Sequence, residues 1–234
     1  MKLTNKYDII YVLKNDVEPG EIKYSLRSLV NFPHGRVWFC GGQPFGLTPD
    51  VRMPYKQLGA TKWEKVSYTL RKVFSTDELS EDVWLFNDDF FVLKPVKEMD
   101  PIYNGTLTQH CDHVERRHGG HPSAYTSELR NCARVLLEKG YGEKNYAVHI
   151  PILINRKKGL EVLDKFPTVP MFRSLYGNIA NIGGVRGSDV KIANHTDIPN
   201  EDATFLSTSD SSFFFGEVGR YIKDRFKERS EYED

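Results

Sequence analysis

The sequence predicts an α/β fold in which a mainly parallel central sheet is flanked by helices. Through the first hundred residues, apolar segments of strand length alternate with segments whose apolar residues recur at helical spacing. A strand followed by a helix and another strand favours parallel pairing through a right-handed crossover. The 234 residues, of which 39% are hydrophobic, are enough for one sizeable core. We therefore expect residues 1–234 to form a single domain.

The clearest elements lie in the first hundred residues. Segments 7–13 and 36–40 are apolar runs typical of buried strands. Segments 21–30 and 61–74 carry their apolar side chains on one face, which predicts two helices. A further apolar run follows the second helix. This order is typical of a nucleotide-binding α/β half, which we place at residues 1–100.

Residues 101–234 show weaker signals. Segment 105–122 is rich in histidine, glycine and charge, which indicates an irregular segment or flap. The other elements expected in this half are helices at 127–139, 156–166 and 172–182, a strand at 204–208 and a closing segment at 213–226.

Composition restricts the possible partners and compartments. Lysine plus arginine and aspartate plus glutamate both number 32, so charge gives no argument for a polyanionic partner. The three cysteines, Cys40, Cys111 and Cys132, are widely spaced and indicate free thiols in a reducing compartment. The sequence shows neither an apolar signal core nor a run of transmembrane length, so we expect no membrane insertion. These features predict a cytoplasmic protein, or a soluble viral product in a host cytoplasm.

One apolar run, residues 83–93, is interrupted once, by Asn87, Asp88 and Asp89. Two neighbouring carboxylates in a buried strand are costly unless a cation compensates them. Oxygen ligands of this kind suit a hard divalent cation such as Mg²⁺ or Mn²⁺. The alternative is a tight turn between two strands, since asparagine and aspartate favour turns.

Several segments resemble one known family. The most specific is 86–91 (Phe-Asn-Asp-Asp-Phe-Phe), and the others agree with it in order along the chain. They are similar to the characteristic blocks of the Stealth proteins, the hexose-1-phosphate transferases of bacterial capsule synthesis and of lysosomal-enzyme GlcNAc-1-phosphotransferase. The matching segments are 8–12, 24–28, 86–91, 149–151 with 172–174, 205–210 and the tail 225–233.

This resemblance implies a GT-A-like nucleotide-sugar-binding fold and a metal-dependent transferase that uses Mn²⁺ or Mg²⁺. The donor would be a nucleotide-sugar, most simply a UDP-sugar, and the product a sugar-1-phosphate attached to a hydroxyl acceptor. Residues 101–234 would then form the acceptor-binding and catalytic half. Two alternatives stay open. One is a GT-A glycosyltransferase that moves the sugar itself to a glycan or a modified nucleic-acid base, and the other is a non-enzymatic carbohydrate-binding module.

The acidic turn supplies the predicted metal ligands. Adjacent residues of a strand point to opposite faces, so two aspartates can share one ion only where the strand ends or bends. We expect Asp89 to be the direct ligand, and Asp88 to act through water or on the sugar. Asn87 would orient either of them. Asp210 is a further candidate for the metal or the acceptor, with a simple turn residue as its alternative.

The resemblance assigns two catalytic partners beyond the acidic turn. His149 would be the general base on the acceptor hydroxyl, since histidine titrates near working pH, although its apolar neighbours also suit a core histidine. Arg173 would pair with phosphate through its planar fork, or instead form a surface ion pair.

Donor binding is predicted at the ends of the first strands. Open α/β sheets bind ligands at the carboxyl ends of their strands. On this basis Asp8, or the loop with Asn15 and Asp16, would lie near the nucleotide, and the resemblance adds Arg27. Lys62 could reach the diphosphate, with a solvated helix face as its alternative.

The histidines of segment 105–122 form the densest group in the chain, namely His110, His113, His118 and His121. Together with Asp112 they could hold zinc, but they lack the regular spacing of closed zinc sites. We favour a mobile flap over the acceptor site.

Overall fold

The computed structural model describes residues 2–3 and 7–234. Its central sheet has five strands in the order β3-β2-β1-β4-β7. The first four pair in parallel, and β7 runs antiparallel to β4 at the edge. The mainly parallel sheet predicted from the sequence is thereby confirmed. The strands are β1 (Asp8–Leu13), β2 (Val37–Gly41), β3 (Val51–Pro54), β4 (Asp82–Phe86) and β7 (Ile152–Asn155).

Helices cover both faces of this sheet because its strands are apolar on both sides. On β1, Ile9 packs in the same cluster as Ile22 and Leu26 of α1, whereas Ile10 packs in the same cluster as Leu70 of α2. The helices are α1 (Gly20–Ser28), α2 (Lys62–Phe74), α3 (Leu107–Arg117), α4 (Ala124–Glu138), α5 (Arg156–Lys165), α6 (Phe172–Ile179), α7 (Asp210–Phe215) and α8 (Glu217–Arg225).

Two small sheets complete the fold. The first has the order β5-β10-β9, and the second pairs β6 with β8. A third apolar cluster, which contains Phe91 of β5 and Ile222 of α8, packs the closing helices against the first small sheet. The strands are β5 (Phe90–Val92), β6 (Ile102–Tyr103), β8 (Val185–Arg186), β9 (Lys191–Ile192) and β10 (Phe205–Thr208).

Segment 105–122 is not the irregular flap expected from its composition. Most of it is helix α3, which begins after a capping box in which Thr106 and Gln109 bond each other's backbone N–H groups. Leu107 and Cys111 of this helix are fully buried, so it packs as part of the core. The threonine three residues before a glutamine was the signal for this helix, and the histidines obscured it.

The structure contains no helix long and apolar enough to cross a membrane, within residues 2–3 and 7–234.

Candidate functional site

The acidic turn lies at the carboxyl edge of the central sheet. β4 ends at Phe86, which pairs with Tyr11 of the parallel strand β1, so both strands end at the same edge. Residues 87–89 then turn the chain into β5, and the backbone N–H of Phe90 donates to the carbonyl of Asn87 at 3.3 Å. The apolar run is therefore two strands of different sheets joined by a turn. Residues 87–89 are therefore both a turn and the place where the carboxylates lie. Side chains alternate between the two faces only within a strand, and this alternation stops where the turn begins.

Asp88 lines a pocket of about 530 Å³ at this edge. Burial raises the pKa of its carboxyl group to about 6, and the negative charges of Asp89 and Asp210 act in the same direction. Lys14, in the loop that follows β1, opposes this shift. Groups of the protein therefore offset the negative charge of Asp88 only in part, as expected of a carboxylate that binds a cation.

Asp89 has a different environment. It is 7% exposed, and its Oδ2 accepts hydrogen bonds from the hydroxyl of Ser207 at 2.7 Å and from Nζ of Lys191 at 3.0 Å. These partners belong to β10 and β9, so Asp89 joins the acidic turn to the first small sheet. The sequence suggested Asp89 as the direct ligand, but in the structure it is Asp88 that lines the pocket.

His149 lines the same pocket from the second half of the chain. Its Nδ1 lies 2.8 and 2.9 Å from the two carboxylate oxygens of Asp189, and the two side chains are 29% and 31% exposed. A proton on Nδ1 donated to this carboxylate leaves Nε2 as the acceptor of the ring. The backbone of His149 has a φ of 51°, a left-handed conformation that is rare outside glycine. Such local strain is typical of functional positions.

Asp189 was not predicted from the sequence. Burial alone would raise the pKa of this carboxyl group, but hydrogen bonds and positive charge from His149 and Lys191 outweigh burial and lower it. Asp189 is therefore a carboxylate throughout the neutral pH range. It lies forty residues from His149 in a short loop without a motif, and only the fold brings them together.

Arg173 lines the pocket and also supports the acidic turn. Its Nη2 donates to the carbonyl of Leu85 and to Oδ1 of Asn87, both at 3.1 Å, and its Nη1 donates to the carbonyl of Ile150 at 2.6 Å. The guanidinium also lies 5.0 Å from the ring centroid of Phe90. Burial lowers its pKa to about 10, against the attraction of Asp89. The phosphate-binding fork predicted from the sequence is therefore already engaged by protein acceptors.

Glu21 is a further acid at this edge that the sequence did not reveal. It lies in the first turn of α1, is 9% exposed and accepts a hydrogen bond of 2.5 Å from the hydroxyl of Thr208. Burial raises its pKa to about 8, and the charges of Asp89, Asp88 and Asp210 add to the effect. Four carboxyl groups thus interact electrostatically at one edge of the sheet. Within the described residues no three of them lie close enough to share an ion, so a hard divalent cation here would take one or two carboxylates and complete its shell with water or donor oxygens.

Two other predicted donor-binding segments lie at this edge. Lys62 lines the pocket at the start of α2, where Thr61 and Glu64 form a capping box, and its Nζ lies 4.1 Å from the ring centroid of Trp63. The loop with Asn15 and Asp16 follows β1 and is exposed. The structure places this loop near the carboxyl edge without showing contact with the pocket.

Two predicted donor-binding residues lie elsewhere and have structural partners. Asp8 is at the amino end of β1, and its carboxylate accepts from Arg36 at 2.8 Å, from the indole of Trp38 at 3.0 Å and from a backbone N–H. Arg27 makes a two-pronged ion pair with Glu233, with both contacts at 2.7 Å, and so fixes the tail to α1. Arg27 therefore does not line the pocket of the acidic turn.

The histidines of α3 do not form a metal site. In the described part of the chain, the one group of three potential ligands close enough to share an ion is Cys111, Asp112 and Glu115, which contains no histidine. Arg130 bridges the two acids of this group and neutralises them. His110 instead has its Nε2 3.0 Å from the hydroxyl of Tyr125, which lines the pocket. The zinc alternative is therefore not supported.

Comparison with known proteins gives structural likeness only. No family model matches the chain, and no curated protein matches it. An active-site mutant of LgtC aligns with a TM-score of 0.46, 13% identity and 94% coverage of both chains. The galactosyltransferase LgtC in complex with donor and acceptor sugar analogs gives 0.43, 13% and the same coverage. The apo form of the glycosyltransferase GlyE of Streptococcus pneumoniae gives 0.42 and 12%, with 94% of this chain and 60% of that chain covered. These values are too low to carry an argument about activity.

Proposed function

We propose that the chain is a metal-dependent transferase that moves a sugar-1-phosphate from a nucleotide-sugar, most simply a UDP-sugar, to a hydroxyl acceptor. One observation carries this proposal: the incompletely compensated carboxylate of Asp88 and the imidazole of His149, oriented by Asp189, line the same pocket. A cation site and an oriented base on two walls of one pocket suit transfer to a hydroxyl group. The resemblance to Stealth proteins names the donor class.

The donor side is assigned to the first half of the chain. Asp88 would hold Mg²⁺ or Mn²⁺ with Asp210 nearby, while Asp89 acts through its contacts to the small sheet. When bound, the cation would neutralise charge on the donor diphosphate. Lys62, at the mouth of the pocket, would approach the same phosphates. Asn87, held by Arg173, would contribute an oriented amide.

The acceptor side is assigned to the second half. In our proposal Nε2 of His149 takes the proton of the acceptor hydroxyl as its oxygen bonds to the β-phosphorus. The bond between that phosphorus and the bridging oxygen breaks, and a nucleoside monophosphate leaves. Asp189 keeps the proton on Nδ1 and stabilises the imidazolium that forms, so it positions His149 without touching substrate.

Glycosyl transfer is the second candidate, and the contacts of Arg173 keep it on equal terms. Arg173 lines the pocket, but its guanidinium already donates to two carbonyls and Asn87, so the residue that would most favour phosphoryl chemistry is engaged within the protein. In glycosyl transfer the acceptor, a glycan or a modified nucleic-acid base, attacks the sugar carbon and a nucleoside diphosphate leaves. The same base and the same cation would serve.

The deciding experiment is to incubate the protein with Mn²⁺ or Mg²⁺, a panel of nucleotide-sugars and hydroxyl acceptors, and to identify the nucleotide product by chromatography. A nucleoside monophosphate supports sugar-phosphate transfer, and a nucleoside diphosphate shows glycosyl transfer instead.

Once an active donor and acceptor are known, His149→Ala should lower turnover by about 10²- to 10⁴-fold and leave donor affinity nearly unchanged. His121→Ala, which replaces an exposed histidine, is the matched control. If no donor gives turnover or metal-dependent binding, the chain is better described as a carbohydrate-binding module.

A further inference from the structure

Lys191 brings a positive charge to the acidic turn. It belongs to β9 of the first small sheet and lines the pocket of the candidate active site, and its side chain is 32% exposed. Its Nζ donates to Oδ2 of Asp89 at 3.0 Å, and the hydroxyl of Ser207 donates to the same oxygen at 2.7 Å. One carboxylate oxygen of Asp89 therefore has both a charged and a neutral donor.

The acidic turn has a second carboxylate beside this ion pair. Asp88, the preceding residue, lines the same pocket. The turn interrupts the alternation of a strand, so the two consecutive carboxylates are not confined to opposite faces. A divalent cation bound by Asp88 would therefore also be attracted to Asp89, which already holds the ammonium group of Lys191.

An ammonium group and a divalent cation compete for the same carboxylate. Both need the negative charge of Asp89, and two positive charges a few ångströms apart repel each other strongly at a side chain that is only 11% exposed. Lys191 can leave, because its ammonium group is a compact charge on a flexible four-carbon stem. Its main chain need not follow, since its N–H donates to Oδ1 of Asp189 at 3.1 Å. Ser207 would still hold Asp89 to β10.

The pocket gives the ammonium group of Lys191 a place to move to. Other positively charged side chains of the lining are already engaged. Arg173 donates to two carbonyls and Asn87, and Lys62 lies over the ring of Trp63. A lysine released from its carboxylate is therefore well placed to make a charge-assisted hydrogen bond to a phosphate oxygen.

We propose that the ammonium group of Lys191 competes with a divalent cation for Asp89, and that a cation bound there releases this group to contact a phosphate of the donor. The contact with phosphate rests on the proposed function, because it needs a nucleotide donor. The competition needs only the cation. The two steps are therefore measured separately, and both are measured without turnover.

Lys191→Met tests the competition, because methionine is also long and unbranched but carries no charge. The electron paramagnetic resonance signal of free Mn²⁺ measures binding to the parent and to the variant. We expect Lys191→Met to bind Mn²⁺ about tenfold more tightly than the parent. Lys191→Arg keeps the charge and should not gain affinity. Lys94→Met is the matched control, because it removes a lysine that pairs with Asp202 outside the pocket, and it should change nothing.

UDP, which carries the diphosphate without a sugar, tests the contact with phosphate. In saturating Mn²⁺, titration calorimetry should show that Lys191→Met binds UDP about tenfold more weakly than the parent, because one charge-assisted hydrogen bond is lost. The affinities for Mn²⁺ and for UDP should thus change in opposite directions. A lysine that only stabilised the acidic turn would weaken both when it was replaced.

Lysine labelling of the parent protein follows the movement without any substitution. Acetylation by an N-hydroxysuccinimide ester, mapped by mass spectrometry, reports how accessible each ammonium group is. The rate at Lys191 relative to that at Lys94 should rise several-fold when Mn²⁺ replaces a chelator, and it should fall again when UDP is added. This measurement stays decisive if Lys191→Met does not fold.

Three results would overturn the proposal: Mn²⁺ binding that Lys191→Met leaves unchanged or weakens, UDP binding that it leaves unchanged, or labelling of Lys191 that Mn²⁺ does not alter. A parent protein that binds no Mn²⁺ would overturn it as well. A protein that transfers sugar phosphate but gives one of these results would lose only this inference. A protein that shows the opposite changes but transfers nothing would retain the inference and lose only the proposed function.

Discussion

Nδ1 of His149 lies 2.8 and 2.9 Å from the two carboxylate oxygens of Asp189, across a separation of forty residues. The ring is also packed edge-on against Phe90, with centroids 6.4 Å apart, directly after the acidic turn. The proposed base and the proposed cation site are therefore linked through one aromatic side chain. This arrangement restrains the direction of Nε2, which is what the proposed general-base role requires.

Asp189→Asn should separate orientation from charge. The amide is similar in size, but it no longer stabilises an imidazolium, and it can hold the ring in the opposite tautomer. We expect turnover to fall by about 10- to 10³-fold while the KM for the donor changes little.

The control for this variant is Asp197→Asn, at an exposed position further along the chain. Steady-state kinetics across a range of pH provide the measurement. An Asp189→Asn enzyme whose rate and pH profile match those of the parent would show that His149 acts without help from Asp189, or not at all.

Asp88→Asn should remove function and add stability. The pKa of this carboxyl group is raised from 3.8 to about 6 in the folded protein, so the unfolded chain loses its proton first as the pH rises. Stability therefore falls between about pH 4 and pH 6 and stays low above it. At about 1.4 kcal/mol per pKa unit, the isosteric amide should raise the free energy of unfolding at neutral pH by at most about 3 kcal/mol.

Urea unfolding with a chelator present measures this gain, at about pH 4 and about pH 7.5. The gain should be confined to the higher pH, and metal-dependent nucleotide binding should be lost at both. Asp202→Asn, at a side chain that is 98% exposed, should change neither quantity. Equal stability of Asp88→Asn and the parent at neutral pH would mean that another group of the protein compensates the carboxylate.

The sequence was sufficient to predict the sheet and most of the helices, because hydrophobic periodicity reports directly on burial. A short polar interruption singled out Asp88 and a family resemblance singled out His149, and both line the same pocket. Asp8 was expected near the nucleotide from its place on the first strand, and Arg27 from the resemblance, but neither lines that pocket. Periodicity does not show whether a charged side chain has a partner inside the protein, and both of these do.

One physical reason explains why the sequence did not reveal Asp189 and Glu21. Asp189 and Glu21 gain their properties from burial and from neighbours that are distant along the chain. Glu21 looks like an ordinary acid in the first turn of a helix, where the helix dipole favours negative charge. Its raised pKa comes first from burial and then from the three aspartates that the fold brings to the same edge, and no local pattern encodes either.

Arg173→Lys should act through the shape of the acidic turn. The guanidinium holds two backbone carbonyls and Asn87 at once, and a single ammonium cannot reproduce that planar set of donors. We expect a loss of about 1–3 kcal/mol in the free energy of unfolding, since buried acceptors lose their partners. Metal-dependent nucleotide binding should weaken with it, because Asn87 is no longer held.

Arg134→Lys, at an exposed pair on α4, is the control for urea unfolding. Unchanged stability together with lost donor binding would indicate instead that Arg173 contacts phosphate directly.

The ion pair between Arg27 and Glu233 should contribute stability that depends on pH and is independent of donor binding. Hydrogen bonds from Arg27 lower the pKa of Glu233 from 4.5 to about 2, so its contribution is complete above about pH 4.5 and is lost as the pH falls towards 2. Glu233→Gln should therefore lower the free energy of unfolding at neutral pH by about 1–2 kcal/mol, a value reduced for screening by solvent. Its effect should vanish at low pH, and nucleotide affinity should stay that of the parent.

Glu217→Gln, in an exposed pair with Arg220, should change unfolding little at any pH. Weaker nucleotide binding by Glu233→Gln would instead support a role of Arg27 in donor binding, because it would show that the tail and the pocket are coupled.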